Sequence, residues 1–153
     1  MKKEYTLEEL LYKAASYCSI SEHCISEVNE KLQKWEAPDV DRKAIIEHLI
    51  KNDFINEQRY AEAFVKDKFR FNKWGKLKIS FALNAKKIDK ELLFAALDII
   101  DDGEYEEMLA SILKTKLNGL KYTSEYEKQG KLFRFAQSRG FESNVIERVL
   151  KGI

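Results

Sequence analysis

One proline (Pro38) and six glycines are the only strong turn-formers in 153 residues, too few for a strand-rich fold, whose reversals each need such residues. Cysteine is as scarce. Cys18 and Cys24 cannot make a disulfide framework, and six residues apart they do not have the spacing of a Cys-x-x-Cys site. We read them as reduced core thiols, the usual state in a cytoplasmic protein. His23 and His48 lie far apart, and no His/Cys/Asp set has the spacing of metal ligands, so neither metal nor cofactor is expected. His23, near a helix start, reads as a capping or packing residue. Long apolar runs are missing too. None approaches the roughly 20 residues that span a bilayer, and Met1-Lys2-Lys3-Glu4 leads into a charged helix rather than the apolar stretch of a signal peptide. A soluble, cytoplasmic chain without membrane contact is expected.

Enzyme signatures are absent as well. There is no G-x-x-x-x-G-K-[ST] loop and no G-x-G-x-x-G, the glycine-rich turns that cradle phosphates. Asp101-Asp102 and Glu106-Glu107 fall in or beside a connection, where solvation accounts for them without acid–base work. No nucleophile–base pair stands out. The expectation is a binding protein, not an enzyme.

What the chain does contain is helical periodicity. Apolar spacing predicts helices near 7–18, 22–35, 41–52, 57–71, 75–87, 90–100, 104–117, 125–139 and 143–151. Thr6-x-x-Glu9, Ser19-x-x-Glu22 and Ser124-x-x-Glu127 fit capping boxes. Asp39 or Asp41, Asn56, Asp89 and Ser143 suit N-caps elsewhere. In 57–71, Tyr60, Ala61, Phe64, Val65 and Phe69 share one face, while Arg59, Lys66, Arg70 and Lys73 fall on the opposite arc. Helix 75–87 has Leu77, Phe81 and Ile88 on one side and Ile79 and Leu83 on the other. It therefore reads as sandwiched between neighbours.

A repeat organises these helices. Leu92, Leu93, Ala96, Leu97 and Ile100 recur 53 positions on as Val145, Ile146, Val149, Leu150 and Ile153, and Ile45, Ile46, Leu49 and Ile50 match the first four 47 positions earlier. Trp74-Gly75-Lys76-Leu77 pairs loosely with Gln129-Gly130-Lys131-Leu132. The expected fold is all-α, three tandem three-helix repeats (5–55, 56–102 and 103–153) stacked into an elongated, curved body. Units of about 50 residues bury too little alone, so neighbours must stack.

Net charge is only +1, yet nine basic residues crowd Lys66–Lys90 against two acidic ones, and Glu91–Glu107 holds seven acidic residues and no basic one. Two solvated faces that offset each other would explain this. So would a surface for phosphate and protein together.

Asn56 to Ile88 resembles the central module of the RecX family, regulators of the RecA recombinase. The resemblance is carried by Arg59-Tyr60-Ala61, Phe64-Val65, the basic run Lys66 to Lys73, Trp74-Gly75, and Ile79 with Leu83. Ser21-Glu22-His23, Glu27 and Lys31-Leu32 resemble the first module. Lys131 through Ala136, Arg139-Gly140-Phe141 and Val145-Ile146 resemble the third. The likeness spans about 8–153. It departs at Ser19-Ile20-Ser21, where the family usually has arginines, and at Cys24, where it has serine.

The resemblance implies tandem three-helix modules and binding in the groove of the RecA–single-stranded DNA filament. It further implies inhibition of ATP hydrolysis, strand exchange and cleavage of the SOS repressor. Candidate filament and phosphate contacts are then Arg59, Lys66, Lys68, Arg70, Lys73, Lys76, Lys78, Lys86, Lys87, Lys131, Arg134 and Arg139. A near-neutral monomer should bind bare single-stranded DNA weakly, with RecA itself supplying much of the interface. Two other readings stand beside this one. One is a helix-turn-helix DNA-binding module; the other is a helical-repeat scaffold. Trp74 reads as a packing residue, and Gly75 as a point where a neighbouring helix or turn comes close.

Overall fold

The computed structural model describes residues 4–153; Met1 to Lys3, part of the segment read as the lead into the first helix, lie outside the described residues. Among the described residues there are nine helices and no strand. They are α1 (Leu7–Ile20), α2 (Ile25–Lys34), α3 (Asp39–Lys51), α4 (Glu57–Arg70), α5 (Lys76–Ala85), α6 (Lys90–Leu97), α7 (Asp102–Asn118), α8 (Glu125–Ser138) and α9 (Ser143–Leu150). Thr6, Asn56 and Ser124 cap as expected, each side chain accepting from the N–H three residues on, which satisfies one of the first free donors. Ser19-x-x-Glu22 does not cap. Ser19 lies inside α1, and α2 starts later, capped by Cys24 with Glu27. Asp39 and Ser143 are first helical residues, behind Pro38 and Glu142.

The helices pack in triples, α1–α3, α4–α6 and α7–α9, and the substantial helix–helix packing falls within a triple. Each triple turns from its second to its third helix in the same way. Glu36, Lys87 and Gly140 adopt positive φ (59°, 62° and 93°). The next residue's N–H then reaches back to close the helix: Ala37 to Leu32, Ile88 to Leu83 and Phe141 to Ala136, at 3.0, 3.2 and 3.2 Å. This is a Schellman-type closure, in which a left-handed residue lets the chain satisfy the last carbonyls.

The turn also fixes the register of the repeat. Val28, Ile79 and Leu132 are equivalent and fully buried. The Trp74/Gln129 pairing is therefore two residues out: Gly75 precedes α5, Gly130 lies inside α8, and Leu77 is exposed while Leu132 is buried. At the turn's spacing of 51, buried Ile45 and Leu49 of the first triple fall on buried Ala96 and Ile100, not at the spacing of 47 read from the sequence. α3 and α6 start equally far past their turns, and the 13 residues of α3 run on beyond the eight of α6.

The core is divided unevenly. α1–α3 close on a core of their own, including Leu10, Ala14, Val28, Leu32, Ile45 and Leu49. α4–α9 share one continuous core, and among the described residues Cys24 is the single buried residue of the first triple that reaches into it. Stacking through a common core thus joins the second and third units but not the first. The chain exposes 9890 Å², against roughly 8000 Å² for a compact monomer of this size, so the body is extended. No helix among the described residues is long and apolar enough to cross a membrane.

α5 is not sandwiched. Ile79 and Leu83 are buried against its own triple, but Leu77 (57%) and Phe81 (79%) are exposed. Ile88, expected beside them, lies past the end of α5, where the turn carries it into the core.

Candidate nucleic-acid interface

The seam between the second and third units is made from main chain. Gly75 N–H donates to Arg139 O (2.7 Å), and Leu77 N–H to Gly140 O (2.9 Å). A Cβ on Gly75 would lie 2.4 Å from backbone atoms of Gly140 and Phe141, and one on Gly140 would lie 2.3 Å from the Cβ of Lys78. Only glycine permits this approach at either position. Tyr105 closes the joint: its hydroxyl donates to Glu142 and accepts from the N–H of Lys76 (2.8 Å). Burial, followed by the hydrogen bond to Glu142, pushes the phenol well above its ordinary range.

Around this seam most of the cations lie over aromatic rings, and Lys68 is also paired with Asp67 at 3.8 Å. Lys68 stands 5.2 Å from the centre of Trp74 and Lys78 4.7 Å from it. Lys76 lies over Tyr105 at 5.0 Å. Lys116 and Arg139 lie over Phe135 at 4.8 and 5.2 Å. A ring face attracts an ammonium or guanidinium through its quadrupole and leaves the full positive charge in place, whereas a carboxylate would cancel it. Among the described residues, none of Lys73, Lys76, Lys78, Lys116 and Arg139 has an ion-pair partner. An open cleft of about 430 Å³ lies between α7 and α8 and reaches the seam at Lys73, lined also by Lys116, Arg139, Phe135, Ile112, Ser111, Thr115 and Gly119. Trp74 packs half-buried against the shared core, as expected, and its ring also carries two ammonium groups.

The other seam has the opposite chemistry. Arg59 pairs with Glu22 (2.5 Å) and Asp53 (3.1 Å), and Lys86 pairs with Glu27 (3.2 Å). Ser26 Oγ donates to Lys86 O (2.7 Å), and the Ile25 N–H reaches Glu57 (3.4 Å). Burial works against ionisation of Glu27, but hydrogen bonds from His23, Lys86 and the Cys24 backbone outweigh it and hold the carboxyl below its ordinary range. Glu57, with only a backbone donor, is pushed up by burial. His23 stacks on Tyr17 with centroids 3.7 Å apart, a packing role as expected. Cys18 and Cys24 carry free thiols, and burial pushes Cys18 up to about 11.

The candidate cations therefore divide by neighbourhood. Lys68, Lys73, Lys76, Lys78 and Arg139 gather at the second seam. Arg59 and Lys86 are engaged at the first, and Lys131 is tied to Glu127 and to the Lys121 carbonyl. Lys66, Arg70, Lys87 and Arg134 are exposed. Lys116 was missed because it lies outside any motif, two residues after Lys114 on α7. A cation one helical turn after a buried apolar pair (Ile112, Leu113) was its only signal. The acidic run Glu91–Glu107 does not neutralise the basic run before it, since among the described residues no ion pair joins them; Glu106 pairs with Arg148 instead.

The comparisons with known proteins fall on these same units. Residues 56–97 match the family model described as the second three-helix domain of RecX, and 104–150 match the third. The regulatory protein RecX of Clostridium beijerinckii is 33% identical over 129 residues, covering 83% of this chain and 60% of its own length. That of Lactobacillus gasseri is 24% identical over 151 residues, 99% of this chain and 56% of its own. The chain thus spans little more than half the length of these curated relatives. The crystal structure of RecX from Lactobacillus salivarius superposes with a TM-score of 0.88 at 25% identity, covering 95% of both chains.

Proposed function

The chain belongs to the RecX family, and from that premise we propose that it regulates the RecA recombinase, binding the RecA–single-stranded DNA filament and inhibiting its ATPase, strand exchange and coprotease activities. It acts on this reading as a cytoplasmic monomer without cofactor or catalysis of its own. The observation that supports the reading is the second seam, where Lys76, Lys78, Lys116 and Arg139 lie over rings and, among the described residues, have no ion-pair partner. Phosphate contacts made by such groups are blind to base sequence, as a protein docking on arbitrary filament DNA requires. A net charge of +1 leaves much of the interface to protein contacts. Bare single-stranded DNA is accordingly the weaker partner.

The test is the single-stranded-DNA-dependent ATPase of the RecA from the same organism. Substoichiometric protein slows it, and K66E/R70E/K73E slows it less while keeping full helicity, because these side chains leave the apolar stripe of α4 untouched. An ATPase rate unchanged by wild-type protein at concentrations equal to RecA overturns the proposal.

A further inference from the structure

The cleft at the second seam holds more than an anion patch needs. Lys73, Lys116 and Arg139 supply positive charge, but the lining also includes Ile112 and Phe135, which offer a phosphate nothing. An apolar, aromatic wall beside unneutralised cations is the pairing that single-strand binders use, the ring supporting a base and the cations holding its phosphate. Lys116 and Arg139 stand within about 5 Å of the Phe135 ring centre, so the two kinds of contact are adjacent. The mouth is open: a Cβ on Gly119 would meet nothing within 4 Å. About 430 Å³ is at the small end of ligand clefts, enough for one unstacked nucleotide and too small for a base pair with both backbones.

We propose that this cleft receives one unstacked nucleotide of a single DNA strand, its phosphate against Lys73, Lys116 and Arg139 and its base against Phe135 and Ile112. The assignment rests on the reading that the protein docks where single-stranded DNA is held, and it adds direct contact with that strand. Recognition is sequence-blind but strand-selective, because a base can enter only when it is unpaired.

The experiment is fluorescence anisotropy of the full chain at low salt, with a labelled oligo-dT strand and a duplex of equal length. The strand binds more tightly than the duplex. F135L lowers strand affinity roughly ten-fold or more, in the range for losing one base–aromatic stack. K116Q/R139Q, which changes side chains only and keeps the main-chain bond from Gly75 to Arg139, makes the log–log salt slope shallower by about 0.7 for each phosphate no longer neutralised. Equal affinity for strand and duplex overturns the proposal, as does unchanged affinity in a folded F135L. So does displacement by inorganic polyphosphate as effective as by unlabelled strand, which would leave a charge patch only. If F135L fails to fold, the strand-over-duplex preference and the K116Q/R139Q slope decide. These measurements use no RecA: failure here with a slowed ATPase removes the cleft and leaves the regulatory reading, and the reverse result does the opposite.

Discussion

Adding one methyl group at Gly75 tests the seam on which the candidate site is built. In G75A the new Cβ lies 2.4 Å from three backbone atoms of Gly140 and Phe141, a full ångström inside the 3.4 Å at which ordinary contact begins. No side chain can rotate to relieve a clash with backbone, so the two units must separate locally. Overpacking of this kind costs about 1–3 kcal/mol. The hydrogen bonds from Gly75 to Arg139 and from Leu77 to Gly140 would lengthen or break, at about 0.5–1.5 kcal/mol each. The sum is about 2–6 kcal/mol, a large share of the 5–15 kcal/mol typical of a folded domain. For a chain of this length it lowers the melting temperature by roughly 4–24 °C. Far-UV circular dichroism during thermal unfolding gives the answer. G119A is the control, since its Cβ would meet nothing within 4 Å. A G75A protein that melts within about 2 °C of wild type would refute the close-approach argument.

Three further outcomes follow from particular residues. L77S and F81S, on the uncovered face of α5, change stability by no more than about 0.5 kcal/mol each, as read from urea midpoints; a cost typical of the core would mean α5 is covered after all. Lys87 has φ 62° at the turn into α6, so K87G raises stability by roughly 0.5–1 kcal/mol once relief of left-handed strain is set against glycine's greater entropy, and a lower urea midpoint would contradict this. Thr123, then Lys131, holds Glu127 down to about 2. Because the folded value is depressed, its contribution is present above the ordinary carboxylate range and lost as pH falls toward 2. Carbon-detected NMR titration should place its midpoint near 2, moving up in T123V; a wild-type midpoint in the ordinary carboxylate range would contradict the bonding.

The helices were legible because their apolar residues recur at helical spacing, and the units because Leu92–Ile100 returns as Val145–Ile153. What misled was information one chain segment does not carry. Leu77 and Phe81 have the spacing of a buried face, but no neighbour arrives to cover them, and spacing cannot report an absent neighbour. The register slipped in α3 because paired apolar residues such as Ile45-Ile46 and Leu49-Ile50 match Leu92 to Leu97 at more than one spacing, and only the turns at Glu36 and Lys87 anchor it. Arg59 lay on the right arc for a free cation, yet Glu22, 37 residues away, meets it across the first seam. Lys116 shows the converse: outside any motif on α7, it gains its role only when α8 brings Phe135 and Arg139 beside it. Charge sign was readable from sequence. Whether a charge is cancelled by a carboxylate or merely steered by a ring was not.

The division of the core has a consequence for the order in which the chain becomes structured. A ribosome releases α1–α3 first, and these helices already possess the apolar partners they need, so they can condense while the rest is still being made. α4–α6 have no such independence: Phe69 packs on Tyr105, and Tyr105 on Phe141, so the second unit stays incomplete until the third emerges. The molecule should accordingly lose structure in two cooperative blocks of unequal size, a smaller N-terminal one and a larger one in which six helices go together.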